Sequence, residues 1–275
     1  MKITDETIED LKVKANNIRK SVIEEVYSAA SGHPGGSLSA ADILTVLYFN
    51  QMNIDPKDPK NENRDRFVLS KGHASPVLYA TLAERGYFPK EELKSFRKLG
   101  SMLQGHPDMK GVPGVDMTTG SLGQGLSAAN GMALASKLDS KGYRVYVLLG
   151  DGEIQEGQVW EAAMTSSHYN LDNICVIVDN NNLQIDGAVT DVMNVYPIDK
   201  KFESFGFEVF TVDGNNIDEL ISAFEKAKTV KGKPTAIVAK TIKGKGVSYM
   251  ENQAGWHGKA PKEEEYLKAM EELNK

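Results

Sequence analysis

Apolar side chains recur along the start of the chain at Ile8, Leu11, Ala15, Ile18, Val22, Val26 and Ala29. This spacing of about 3.6 residues predicts one long amphipathic helix over residues 5–30. The stripe stops at Ser31-Gly32-His33-Pro34-Gly35-Gly36, where glycine and proline interrupt the pattern. A second helix is expected from about Leu38 to Phe49. A polar loop, IDPKDPKNENRD, follows, then a short strand in RFVLS and a further helix near 75–85.

From Tyr143 the period changes. YRVYVLL, ICVIVDN, FEVFTVDG and PTAIVAKTI are short β-branched runs, and EGQVWEAAMTSSHYN and IDELISAFEKAKT between them keep helical spacing. Strands that are apolar on both faces and separated by helices indicate a mostly parallel sheet with helices on both faces. The fold class is therefore α/β, read as one domain over residues 1–275 with no repeat or linker. Sites in such folds gather at the carboxyl ends of the strands.

Charge and composition narrow the function. With 32 basic and 38 acidic residues the formal net charge is −6, and the basic residues are scattered, so the electrostatic footprint of nucleic-acid binding is missing. MKITDETIEDLKVKANNIRK alternates acids and bases and does not read as a secretory or transit signal. No apolar run approaches the ~20 residues of a membrane helix. A cytoplasmic protein is expected. The one cysteine, Cys175 in ICVIV, excludes an internal disulfide and a cysteine-based zinc site, and reads as a buried, inert thiol.

Candidate chemistry begins with LLGDGEIQEG at 148–157. Asp151 ends one strand and Asn181, in VDNNN, ends the next. If those strands are adjacent and parallel, both side chains reach one crevice. A carboxylate, an amide oxygen and a main-chain carbonyl such as that of Leu183 form an oxygen-only set suited to Mg²⁺, and Ca²⁺ or Mn²⁺ would also be accepted. Gly150 and Gly152 would let a diphosphate approach the backbone, beside the N-terminus of a helix beginning near Glu156. On spacing alone, a strand-ending turn followed by a polar loop is the favoured reading.

Four of the five histidines, His33, His73, His106 and His257, adjoin a glycine, and His168 does not. At this glycine content chance gives a histidine a glycine neighbour about one time in six. Imidazoles on loops that approach a ligand closely can exchange protons with sugar hydroxyls or hydrogen-bond an oxyanion.

GDGEIQEG followed thirty positions on by VDNNN resembles the signature of thiamine-diphosphate enzymes. ASGHPGGSLSAADILTVLYF, DRFVLSKGHASPVLYATLAERGYF, QGHPD, TTGSLGQGLSAANGMALA and TIKGKGVSYMENQAGWHGKAP resemble, in order, the N-terminal diphosphate-binding domain of transketolase. The resemblance runs from about residue 10 to 265. It implies the thiamine-diphosphate-binding fold, with Asp151, Asn181 and the Leu183 carbonyl holding the metal. Gly120, Ser121, Leu122, Gly152, Asn181, Lys243, His73 and His257 would meet the cofactor; many members carry proline where this chain has Ser121. His33, His73, His106 and His257 would surround the reactive carbon and the sugar hydroxyls. Glu156 and Glu161 would lie at a subunit interface. The alternative for these two acids is simple stabilisation of a helix start. The small residues of LGQGLSAANGMALA fit either an interface or a tightly packed core helix.

The activity implied is transfer of a two-carbon ketol unit from a ketose phosphate to an aldose phosphate. The pyrimidine-binding and C-terminal domains of a complete transketolase find no counterpart in 275 residues. APKEEEYLKAMEELNK reads as a natural stop. The expected state is a split enzyme whose separate C-terminal transketolase subunit completes an α2β2 assembly. Dihydroxyacetone synthase, a transketolase for an unusual sugar, deoxyxylulose-phosphate synthase and a noncatalytic regulatory homologue are the rival readings. A dinucleotide-binding dehydrogenase falls, because no strand is followed by G-x-G-x-x-G.

Overall fold

The computed structural model describes residues 5–275. The first helix, α1 (Asp5–Ala29), follows the predicted stripe. Leu11, Ala15, Ile18, Val22 and Val26 are buried, and Ile8 and Ala29 pack partly against the same core. The expected helix at 38–49 differs in detail. It starts earlier, as α2 (Pro34–Ser39), breaks at Ala40, resumes as α3 (Ala41–Val46) and ends in a π-turn over Leu47–Gln51. Pro34 initiates α2 because its fixed φ suits a first turn and its missing N–H has no helical partner there, a start the glycine-rich composition concealed.

Strand β1 (Arg66–Leu69) precedes α4 (Ser75–Arg85), which Gly86 closes in the left-handed conformation at φ 92°. The small-residue segment forms α5 (Gly125–Leu138), then come β2 (Val145–Gly150), α6 (Gly157–His168) and β3 (Ile174–Asn180). A two-residue hairpin, β4 (Leu183–Gln184) and β5 (Gly187–Ala188), and two short helices, α7 (Val189–Val192) and α8 (Ile198–Ser204), were not legible in the sequence pattern. The chain continues with β6 (Glu208–Asp213), α9 (Ile217–Thr229), β7 (Thr235–Lys240) and α10 (Glu263–Leu273). Asn216 caps α9 by accepting from the amides of Asp218 and Glu219 at 3.1 and 3.3 Å.

The main sheet is parallel throughout, in the order β1-β2-β3-β7-β6. Alternate side chains serve two cores. Tyr146, Leu148, Cys175, Ile177, Ile237 and Ala239 pack with α1, α3, α4 and α9, whereas Val145, Val147, Leu149, Val176, Val178 and Val238 pack with α5, α6 and α8. Cys175 is buried, and that burial pushes its thiol up to about 12. Among the described residues no helix is long and apolar enough to cross a membrane. The helix α5 lies beside α6, tied by Asn130 Nδ2 to the Ala162 carbonyl at 2.8 Å and by Ser166 Oγ to Asn130 Oδ1 at 2.7 Å. Its small residues Ala129 and Ala133 are spent in the core, while Gly131 and Leu138 face outward.

Candidate active site

The strands β2 and β3 are adjacent, with Gly150 opposite Asp179, so the turns after them open into the same crevice. Asp151 is 2% exposed. Its Oδ1 accepts from the Gly152 amide at 2.8 Å and its Oδ2 from the Asn182 amide at 2.5 Å. These bonds aim the carboxylate without exhausting its lone pairs. Burial first, and the neighbouring Asp179 second, push its pKa up to about 6. Asn181 Oδ1 accepts from the Leu183 amide at 3.0 Å, and Leu183 O accepts from Lys243 Nζ at 3.0 Å.

Two buried charges that were not among the expected site residues support this crevice. Asp179, completely buried, accepts from Lys71 Nζ at 2.5 Å, from Ser39 Oγ at 2.6 Å and from Thr241 Oγ1. Lys71 also donates to the Gly36 carbonyl at 2.9 Å. One residue thus joins α2, β3 and the loop after β7. Glu153 does the same for the glycine loops: it accepts from Ser70 Oγ at 2.5 Å and from the amides of Gly123 and Gly150, each at 2.9 Å. A signal was present for Asp179. A charge ending a strand buried on both faces requires a buried partner. That partner, Lys71, stands two positions before His73 in SKGHAS.

Three of the four histidines meet. The ring centres of His33, His73 and His257 are separated by 5.2, 5.5 and 5.1 Å, although the residues come from three distant loops. Burial, helped by neighbouring cations, lowers the pKa of His33 to about 4 and that of His257 to about 3; His73 is also depressed, mainly by burial. At neutral pH these are uncharged imidazoles. Nδ1 of His33 is buried without a partner, which leaves a polar atom for a ligand to satisfy. Nδ1 of His257 lies 2.9 Å from Lys243 Nζ. Burial and the nearby Lys71 lower Lys243 to about 8.

A cavity of about 300 Å³ joins these parts. Its lining includes His73, Leu122, Asp151, Gly152, Glu156, Asn181, Leu183, Lys243 and His257. His33 borders it through its ring contacts. His106 sits one layer away against Gly120, where a Cβ would be 3.3 Å from the imidazole, and Gly120 and Ser121 line a neighbouring hollow. Gly152 packs closely against Gln184, where a Cβ would be 3.1 Å away. The two acids stand differently towards the start of α6. Glu156, at the N-cap, makes no side-chain cap bond, Glu161 lies beyond the first turn, and both are exposed. His168 is exposed on the end of α6, edge-on to Tyr169.

The residues suit a diphosphate and a hard cation. Among the described residues no cluster of three or more His, Cys, Asp or Glu could hold a metal, so an ion here would draw on one carboxylate, an amide and a carbonyl, which is oxygen chemistry. A parallel α/β sheet carrying an acid, an amide and a lysine at its carboxyl edge under a ring of neutral histidines defines a class of phosphate-cofactor enzyme. The family described as "Transketolase, thiamine diphosphate binding domain" matches residues 11–274. The chain is 48% identical over 266 residues to a 6-deoxy-6-sulfo-D-fructose transketolase subunit of Clostridium sp. (strain MSTE9), covering 97% of each. It is 42% identical to an apulose-4-phosphate transketolase subunit of Phocaeicola vulgatus, covering 97% of this chain and 95% of that one. The transketolase of Campylobacter jejuni superposes with a TM-score of 0.91 at 38% identity, over 100% of this chain and 43% of that chain. The chain therefore belongs to the transketolase family, through its thiamine diphosphate-binding domain. It spans about two fifths of the length of the solved transketolases it matches, and nearly all of the relatives named as subunits.

Proposed function

We propose that this chain is the diphosphate half of a two-chain transketolase, with the pyrimidine-binding and C-terminal domains on a separate subunit in an α2β2 assembly. One observation carries the reading: Asp151, Asn181 and Leu183, at the adjacent ends of β2 and β3, line one cavity with His73 and His257, and His33 packs against both of those rings. Asp151, Asn181 and the Leu183 carbonyl would hold Mg²⁺ or a similar divalent ion. Gly152 would sit against the diphosphate and Lys243 would balance its charge. Gly120, Ser121 and Leu122 would border the rings of the cofactor. Thiamine diphosphate, when bound, supplies the nucleophilic carbon of ketol transfer.

The chain's own residues orient and exclude water. His33 and His257, neutral and half-enclosed, would hydrogen-bond the oxygen on which charge develops, and His73 and His106 would hold sugar hydroxyls in place. The substrates are sugar phosphates, as donor and acceptor. At the rim of the cavity Ile185 is 66% exposed, and Met193 nearby is 61% exposed. A subunit seated there would cover this apolar rim and would meet the exposed acids Glu156 and Glu161.

Calorimetric titration of thiamine diphosphate into the purified chain with Mg²⁺, repeated on Asp151→Ala, tests the half-site. Metal-dependent uptake that disappears in the variant is expected. Uptake indifferent to both metal and Asp151 would overturn the assignment of the ligands. Ketol transfer by the purified chain alone, at the rate of a complete transketolase, would overturn the two-chain reading.

A further inference from the structure

One side chain braces the two loops that carry His33 and His106. Arg97 follows a short 3-10 turn over Lys90–Ser95. Its Nη1 donates to Ser31 Oγ at 2.7 Å, and its main-chain amide donates to the Leu103 carbonyl at 2.8 Å. The guanidinium lies on the backbone of Gly105. A Cβ at that glycine would be 3.0 Å from Nε and 3.2 Å from Cζ and Nη2. A side chain at that position would push the guanidinium off the loop by a few tenths of an ångström.

The brace is held under strain. Arg97 has a φ of 58°, a left-handed conformation that is unfavourable for a residue with a Cβ and collects at functional sites. Its Nε is buried without a hydrogen-bond acceptor, wedged rather than satisfied. Phe96 stacks on the same guanidinium, with its ring centre 5.3 Å away, and also touches Gly32, where a Cβ would lie 3.2 Å from the ring. The positive charge bears on both imidazoles: after burial, Arg97 is the largest cause of lowered proton affinity in His33 and in His106. The other charged or titratable groups facing His33 are His106, Lys243 and the rings of His73 and His257.

We propose that Arg97 is a positioning residue, whose guanidinium ties Ser31 to Gly105 and so sets His33 and His106 in register at the substrate end of the cavity. It acts through the histidines and touches no reacting atom. This rests on the reading that those histidines meet the sugar.

The test uses the purified chain, so that it stands apart from cofactor and activity. Hydrogen exchange and titration of ¹⁵N-labelled histidines would be measured on Arg97→Met and Arg97→Lys. In the methionine variant, exchange at 31–36 and 103–108 should rise about tenfold, the loss of one charge-assisted hydrogen bond. His33 and His106 should then titrate at higher pH than in the parent. The lysine variant keeps the cation and should restore both titrations, but it cannot span both loops and should leave exchange fast. Parent-like exchange and titration in the methionine variant would overturn the proposal. So would loosening spread evenly over the chain, which is the mark of an ordinary structural residue. A chain that behaves as described yet takes up no thiamine diphosphate keeps the brace and loses the cofactor reading.

Discussion

Lys243 Nζ lies 3.0 Å from the carbonyl oxygen of Leu183 and 2.9 Å from Nδ1 of His257, so one ammonium holds both the proposed metal ligand and a site histidine. A divalent ion at Asp151 and Asn181 would compete for that carbonyl. Lys243→Met should therefore bind Mn²⁺ more tightly than the parent when no cofactor is present, as read by the loss of free Mn²⁺ signal in electron paramagnetic resonance. Thiamine diphosphate should bind the same variant about tenfold more weakly, for want of one charge-assisted contact. Unchanged Mn²⁺ affinity would show that the lysine is no competitor.

The pair Lys71–Asp179 is fully enclosed, with side chains 3% and 0% exposed. Removing one partner leaves an uncompensated buried charge, worth ~3–5 kcal/mol of destabilisation. Lys71→Met should lose stability on that scale in urea titration, and Lys71→Met with Asp179→Asn should recover part of it. A double variant no better than the single one would mean that the pair is held by its hydrogen bonds to Ser39 and Thr241 rather than by its charges.

Site histidines this far from their ordinary value make a prediction about acid. His33 and His257 take protons at about 4 and about 3 in the folded chain, against about 6.5 when unfolded. Between those values the unfolded chain binds more protons, so stability rises with pH up to about 6.5 and is lost as pH falls toward 4. Nuclear magnetic resonance of the ring nitrogens should find both imidazoles neutral from pH 6 to 9. A titration of either near pH 6.5 would contradict the burial described.

Glu25 is completely buried in α1 and neither of its oxygens has a partner. Burial raises its pKa well above the ordinary carboxyl value, with Glu24 adding to the effect. Here the folded chain binds the extra proton, so stability falls as pH rises from the unfolded value of about 4.3 through the raised folded value. Glu25→Met should melt higher than the parent at pH 8, by roughly 2–4 °C for each kcal/mol gained, with the gap closing at pH 4. Equal melting at pH 8 would mean that the carboxyl has found a partner.

Much of the fold was legible because its signals are local. The period-3.6 stripe of α1 and the apolar runs of β2, β3 and β7 each follow from burial of one helical face or of both strand faces, while β6, at the edge of the sheet, is only partly buried. The break at Ala40 and the β4–β5 hairpin were hidden because they answer to neighbours, not to a period. Asp151, Asn181 and the glycine-flanked histidines could be picked out from motif and resemblance. Asp179, Lys71 and Glu153 could not be assigned roles, because decisive partners lie far along the chain: Ser39 is 140 and Lys71 108 positions from Asp179, and Ser70 is 83 positions from Glu153.

What the sequence alone determined is the class of fold, the family and the residue types at the site, since hydrophobic period and short motifs are properties of neighbouring positions. What only the tertiary structure decided is which of those residues meet: three histidines from three loops within one ring of contacts, Lys243 lying on the carbonyl of Leu183, and Arg97 braced between Ser31 and Gly105. The physical reason is that parallel strand order brings the ends of distant segments to one edge, and register and burial, not spacing along the chain, set the distances there.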